Sequence, residues 1–457
     1  MKILLVYPQY PDTFWSFKYA LKFISRKASF PPLGLLTVAS MLPAEWEKRL
    51  VDMNVSTLTD DDLKWADFVF ISAMVVQKKS AMEVIRRCRE SGVRTVAGGP
   101  LFTTGHEEFE EADHLVLNEA ETTLPLFLED VKKGRLRKTY TSGTWPDIQK
   151  TPPPNWELID TKKYASMSIQ YSRGCPYNCE FCDIIVLNGH RPRTKSKEQI
   201  LSELEAIYDQ GWRGSVFFVD DNFIGNKKKL KKEILPSLTD WMREKKFPFY
   251  FFTEASINLA DDDELMGLMV EAGFDTVFVG IETPAENGLA ECSKKQNLGR
   301  DLVADVKRLQ RAGLQVQGGF IVGFDSDTPS IFQRQIDFIQ RSGIVTAMVG
   351  LLQAPPGTRL YERMRRAGRL MQDVISGDNV DGTTNIVPKM NLDALHEGYK
   401  QVLASIYAPK AYYQRVKTFL REYRPPRLNT RLDREHLLAF VRSIFHLGIV
   451  GRERVHY

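Results

Sequence analysis

The sequence predicts an α/β protein in three parts: a doubly wound parallel sheet, a partial barrel of six β/α units, and a mostly helical C-terminal region. Three observations carry this. Apolar runs of strand length alternate with helical segments as far as Gly134, the alternation restarts at Ser166 and runs six times, and after about Tyr361 it stops. At 457 residues the chain also exceeds what one hydrophobic core usually organises. The expected boundaries are 1–150, a linker at 151–165, then 166–360 and 361–457.

Lys2 to Tyr7 reads as a short buried strand ending at Pro8, and Pro31 to Leu42 as helix after a Pro-Pro start. A strand through Val51, a strand Phe68–Ser72, a helix from about Lys79 to Ser91, a strand Arg94–Ala97 and a strand near His114–Leu117 follow. Ligands of such sheets bind across the carboxyl ends of the strands. Those ends are permissive here: Pro8, Ser72-Ala73, Gly98-Gly99-Pro100 and Asn118-Glu119-Ala120. Paired glycines after a strand admit a ligand close to the backbone, or simply make a tight turn.

From Gly134 to Pro154 periodicity is lost, and Thr151-Pro-Pro-Pro154 suggests a stiff, extended connector. Six strands follow at Met167–Tyr171, Ser215–Val219, Phe249–Thr253, Thr276–Val279, Leu314–Ile321 and Thr346–Leu352, with helices centred on Glu203, Leu235, Leu268, Lys307 and Phe338. Pro236 is expected to kink or split the second helix. Function in such barrels sits on the loops after the strands. There the chain places Asp220-Asp221, Glu254, Gly280-Ile-Glu282, Asp325 and Pro355-Pro-Gly-Thr358. Carboxylates at three successive strand ends suit a ligand bearing an ammonium, a ribose diol and a sulfonium; turn capping is the alternative for Asp220-Asp221. Asp261-Asp-Asp-Glu264 reads as a helix start.

The tail offers a loop at Gly377–Thr384 and helices near Leu392–Ile406, Pro409–Tyr423 and Arg434–Leu447. Residues 391–457 carry twelve Lys/Arg against six Asp/Glu. Tyr412, Val416, Phe419, Leu420 and Tyr423 form an apolar stripe with Arg415, Lys417 and Arg421 off it. The stripe either packs on the barrel mouth or makes a platform for a membrane surface.

The chemistry concentrates in Tyr171-Ser-Arg-Gly-Cys175-Pro-Tyr-Asn-Cys179-Glu-Phe-Cys182. Three thiols in one turn-rich loop leave a four-iron, four-sulfur cube one ligand short, and so one iron open. A zinc knuckle or three structural thiols are the alternatives. Zinc would normally want a fourth Cys or His in a closed tetrahedron, and the nearest, His190, follows eight residues later. Cys88 and Cys292 read as buried free thiols, which fits a reducing interior. The net charge of +4 is small for this length and argues against a nucleic-acid partner. No apolar run approaches the ~18 residues of a membrane span, and the first residues are too short for a signal segment, so a cytoplasmic protein is expected.

The C-x3-C-x2-C spacing, with Phe181 before the last cysteine, resembles the cluster motif of the radical S-adenosylmethionine (SAM) superfamily. The resemblance implies that Cys175, Cys179 and Cys182 hold a [4Fe-4S] cluster whose open iron chelates SAM, and that reduction splits SAM into methionine and a 5′-deoxyadenosyl radical. It places Phe181 near the adenine and gives Asp220, Asp221, Glu254, Gly280 and Glu282 to SAM, with an electron donor such as flavodoxin or ferredoxin.

The order Pro32-Leu-Gly-Leu35, Asp52, Gly98-Gly99-Pro100 and Asn118-Glu119-Ala-Glu121, ahead of that motif, is similar to the cobalamin-binding domain of cobalamin-dependent radical SAM enzymes. Val116-Leu-Asn-Glu-Ala-Glu121 departs from that family's usual Val-Ile-Gly-Glu-Gly-Glu. The likeness implies cobalamin against Pro8, Leu35, Ser72, Gly98, Gly99, Pro100, Asn118 and Glu119. Neither His106 nor His114 sits in a D-x-H-x-x-G signature, so no protein histidine is expected on the cobalt. The tail, with Tyr412-Tyr413-Gln-Arg-Val, resembles a subset that includes hopanoid C-2 methylases, which adds lipids to the small-molecule substrates. The implied activity is methylation of an unactivated carbon. The alternatives are a radical SAM coupling, cyclisation or rearrangement enzyme without cobalamin, or a non-enzymatic iron–sulfur regulator.

Overall fold

The structure is a computed structural model of the chain and describes residues 1–371, 375–425, 434–451 and 454–457. Strands β1 (Lys2–Tyr7), β2 (Glu47–Asp52), β3 (Phe68–Ser72), β4 (Arg94–Gly98), β5 (His114–Val116) and β6 (Thr139–Tyr140) form one parallel sheet in the order β2-β1-β3-β4-β5-β6. Its strands are apolar on both faces, as a sheet covered by helices on both sides requires. Leu4, Val6, Val69, Ile71 and Ala97 pack under the helix Lys78–Glu90, while Ile3, Leu5, Phe68, Phe70 and Val96 meet Leu35, Ala39, Leu124 and Phe127 on the other side. Strand order reverses between β1 and β3, so a crevice opens at their carboxyl ends.

β6 falls inside the stretch that the sequence leaves without periodicity; its two residues pair with β5. The following connector does not span open space. Trp156 and Tyr164 are buried, and the Tyr164 hydroxyl donates to Asp52 Oδ2 at 2.9 Å.

The second sheet comprises β7 (Met167–Ile169), β10 (Gly214–Phe218), β11 (Phe249–Glu254), β12 (Phe274–Glu282), β13 (Gln315–Val322) and β14 (Ala347–Leu351), all parallel, in the order β14-β13-β12-β11-β10-β7. Between β7 and β10 a short antiparallel hairpin, β8 (Ser172–Arg173) with β9 (Arg193–Thr194), carries the cysteine loop. Period-two alternation sends Val216, Phe218, Phe251, Val277, Val316 and Val349 outward into the helix-packed core. Ahead of Pro236 the helix widens into a π-turn at Leu230–Ile234, and the regular helix resumes as Leu235–Glu244. A proline has no N–H for the preceding turn and its ring crowds the i−4 carbonyl, which the wider turn relieves.

In the tail, helices Leu392–Tyr407 and Pro409–Glu422 pack on the flank of the barrel against Ser330–Ser342, and not on its mouth. Two side chains correct the sequence reading of the stripe. Leu420 is exposed, and Arg415 is fully buried, its guanidinium donating to Gln340 Oε1 (2.8 Å), Ile406 O (2.6 Å) and Val345 O (3.0 Å) over the rings of Tyr407 and Tyr412.

Candidate active site

The carboxyl ends of both sheets open on one cavity of about 1410 Å³. Tyr7, Ser72, Gly98 and Asn118 line it from the first sheet; Gln170, Val219, Glu254 and Glu282 line it from the second. Sites for one small ligand run to roughly 1,000 Å³, so this volume has room for more than one. Residues 375 and 377–379 close over it: a Cβ on Gly377 would lie 2.8–2.9 Å from Val75 of the first domain.

The cysteine loop is anchored at its start by Asp220. That carboxylate accepts from the Tyr171 amide at 3.0 Å and from the amide and hydroxyl of Ser172. Gly174 turns the chain at φ +95°, where a Cβ would meet the carbonyls of Arg191 and Gly189 at 2.9 Å. Asn222 Nδ2 lies 4.0 Å from Cys175 Sγ and Gln296 Nε2 lies 3.8 Å from Cys179 Sγ, while Cys182 lines the cavity. Burial pushes the thiols of Cys175 and Cys182 up. Lys294, half-buried and paired to Glu282 at 2.6 Å, places its charge near Cys179 and Cys182. Among the described residues no three His, Cys, Asp or Glu side chains converge closely enough to hold a single metal ion. Three thiols on one loop, with N–H donors beside two of the sulfurs and a cation nearby, are the donor set that a thiolate-ligated cluster uses.

Of the five acidic and glycine positions expected at SAM, the structure brings Glu254 and Glu282 to the cavity, together with Phe181. Burial, reinforced by Asp221 and Asp220, pushes Glu254 up to about 8. Asp220 is spent on the loop backbone; its carboxyl is raised by burial to about 7. Asp221, raised by burial to about 6, takes a hydrogen bond from Asn188 Nδ2 at 3.3 Å. Gly280 makes room for an ion pair, since a Cβ there would fall 2.8 Å from Lys294 Nζ and against the Glu282 carboxylate. Glu282 itself holds φ +65° at a register shift between β12 and β13, a strained conformation of the kind that clusters at functional sites.

On the first sheet, Leu35, Ser72, Gly98, Gly99, Pro100, Asn118 and Glu119 all line the cavity, whereas Pro8 does not. The Pro8 carbonyl is held by Gln77 Nε2 and Asn54 Nδ2. The paired glycines answer to the protein's own packing: a Cβ on Gly98 would lie 2.6 Å from Val116 O, and one on Gly99, at φ +91°, 2.6 Å from Ser72 Oγ. Glu119 faces two cations of the cysteine hairpin, Arg173 and Arg193 (2.6 Å), and Glu121 pairs with Arg173 at 2.8 Å. Glu119 is thereby a bridge between the two sheets. His114 bonds Arg137 O through Nδ1 against Phe68 and Phe127, and His106 lies beside Glu107; neither lines the cavity.

Sequence reading missed Lys294, Arg173 as a bridging residue, and residues 375–379. Lys294 stands in Ser293-Lys-Lys-Gln296, which in the sequence has the look of surface charge.

Residues 22–128 match the B12-binding domain family, residues 169–339 the radical SAM superfamily, and residues 358–457 a domain of unknown function. The chain is 44% identical to an uncharacterized methyltransferase of Synechocystis, over 91% of this chain and 78% of the relative. It is 35% identical to the hopanoid C-2 methylase of Rhodopseudomonas palustris, over 98% and 86%. Among solved structures, the radical SAM methyltransferase TsrM of Kitasatospora setae, with cobalamin and a [4Fe-4S] cluster bound, has the same fold at a TM-score of 0.67 and 14% identity, covering 100% of this chain and 97% of that one.

Proposed function

The chain belongs to the cobalamin-dependent radical SAM methyltransferases, whose cofactors are a [4Fe-4S] cluster, SAM and cobalamin, and on that premise we propose that it methylates an unactivated carbon of an apolar small molecule or lipid. The observation that carries the reading is the single cavity onto which both sheets and Cys182 open. When bound, the cluster supplies the electron that splits SAM and the cobalamin carries the methyl group to the substrate carbon. Cys175, Cys179 and Cys182 ligate the cluster. Glu254 faces the ammonium or sulfonium of SAM, whose charge would offset the cost of ionising that buried carboxyl. Phe181 lies along the nucleoside, and Lys294 balances charge at the sulfurs. Leu35, Ser72, Gly98, Gly99, Pro100 and Asn118 form the floor for the corrin, and the segment 375–379 keeps water out.

The test is anaerobic reconstitution of the full chain, counting iron and cobalt, then incubation with methyl-labelled SAM, reductant and a lipid extract. Mass gain of one labelled methyl on a lipid-soluble product is expected. A protein that holds four irons but no cobalamin, or that leaves every extract component unlabelled, would sink it.

A second reading concerns position in the cell. We propose that the segment Arg434–Ile449 rests on an anionic lipid surface. Leu437, Phe440, Val441, Phe445 and Ile449 are exposed there, in a region with twice as many basic as acidic residues. No described helix is long and apolar enough to cross a membrane. Co-sedimentation with anionic vesicles is expected for the wild type and lost in F440D/F445D; equal binding by both would refute it.

A further inference from the structure

Below the level of the cysteines the cavity continues down the inside of the barrel, and the character of its wall changes twice. Glu254 and Glu282 mark the top. The waist is aromatic: Phe217 and Phe252 stack at 4.6 Å and 4°, Phe30 from the first domain tilts against both at 5.3 and 6.0 Å, and Phe278 faces the same space. Gly319 leaves room for that ring, since a Cβ there would stand 2.9 Å from Phe278 Cζ. The foot is polar. Ser215, Tyr250, Asp275 and Gln315 each stand within the first two residues of β10, β11, β12 and β13 and line the cavity there, with Gln317 two residues further along β13. Tyr250 lies four residues below Glu254 on β11, which at strand rise is roughly 13 Å.

This foot is at odds with what a barrel needs for stability. Barrels of this kind are ordinarily filled by branched apolar side chains, whereas Asp275, Gln315 and Gln317 are polar and half-buried. The side-chain amides of Gln315 and Gln317 make no hydrogen bond among the described residues. Ser215 accepts from Ser166 at 3.1 Å. Asp275 meets Thr276 and, among the described residues, has Tyr423 at the end of the tail helix as an ionisable neighbour. Two amides and a carboxyl thus face a cavity whose walls above them are apolar.

We infer that the foot of the lumen seats the polar head of an amphiphilic substrate, a head that donates hydrogen bonds (hydroxyl or ammonium), with the apolar body lying along Phe217, Phe252 and Phe278. Asp275, Gln315 and Gln317 then set which end of the substrate points down and which carbon stands at the cysteine loop. The assignment rests on the proposed methyl transfer only for which end reacts.

The test uses the full chain without cluster, SAM or reductant, and measures displacement of a fluorescent apolar reporter by three probes of equal chain length: 1-dodecanol, 1-chlorododecane and dodecylammonium. The wild type is expected to bind dodecanol about tenfold tighter than chlorododecane, the equivalent of one to two hydrogen bonds. The volume-conserving Q315M/Q317M variant is expected to bind the two within about twofold, with its chlorododecane affinity kept. In D275N, dodecylammonium should lose about tenfold against dodecanol. No dodecanol preference in the wild type, or a preference that survives in Q315M/Q317M, would overturn the inference, and D275N decides in the same way if the double variant does not fold. Head preference without methyl transfer would count against the proposed function alone; methyl transfer without head preference would count against the foot alone.

Discussion

The two rims of the cavity are built on different principles. The cysteine rim is held by charge and hydrogen bonds: Asp220 on the backbone of Tyr171 and Ser172, Lys294 on Glu282, and Arg363 on Glu180 at 2.8 Å. The rim of the first sheet is held by shape, with Gly98 and Gly99 pressed against Val116 O and Ser72 Oγ, and Leu35 buried beneath. A charge-held rim is vulnerable to the loss of one partner, because the other is stranded out of water. A shape-held rim has little charge to strand, but one added methyl displaces backbone.

Four changes would break or sharpen that contrast. Arg173→Ala strands Glu121, while Glu119 keeps Arg193, and should cost about 3–5 kcal/mol in chemical denaturation, the penalty for breaking a buried ion pair; a loss under 1 kcal/mol would mean that the pair is solvated. Asp275→Asn should raise stability at pH 7 by on the order of 2–3 kcal/mol. Burial lifts that carboxyl to about 6, so its contribution is fully present below pH ~4 and lost as pH rises through 6. The gain should therefore vanish below pH 4, and a pH-independent difference would rule out titration as its source.

Gly98→Ala should cost about 1–3 kcal/mol as overpacking and lower the cobalt retained after reconstitution while leaving iron unchanged. Equal loss of both metals would mean that the rims are not independent. The smallest effect is an acid-side one. At Glu121, burial pushes the carboxyl up, but the charge and hydrogen bonds of Arg173, with Thr151, outweigh it and hold the group below its usual range. Stability from this pair is present above the ordinary carboxylate range and lost as pH falls below it. A denaturation series in Thr151→Val should complete that loss at a higher pH than the wild type, because the carboxyl loses one of the hydrogen bonds that hold it low.

How far the sequence could be read follows the range of the interactions. β3 spans Phe68–Ser72 as expected, because a fully buried parallel strand is a local apolar run. The cysteine loop declares itself by spacing alone. Asp262 caps its helix by accepting from the Leu265 amide at 3.1 Å, three residues on. β6 is too short to leave a period. Arg415 reads as surface because its partners Gln340 and Val345 lie seventy or more residues upstream. Glu119 and Gly280 stand at strand ends, where ligands are expected, yet their neighbours are Arg173, Arg193 and Lys294 of the chain itself. Position along a strand reveals that a residue faces the cavity; which distant side chain reaches it first does not follow from local pattern.

The bridge from Glu119 to Arg173 and Arg193 bears on how such chains are inherited. Fifty-four and seventy-four residues separate the partners, and they lie on opposite sides of the connector. A gene fusion that exchanged the first sheet for that of a relative, cut at the prolines, would bring in a rim whose acids no longer matched the arginines beside the cysteines. The two halves of the cavity are thus a co-adapted pair, to be recombined only together with the hairpin that joins them.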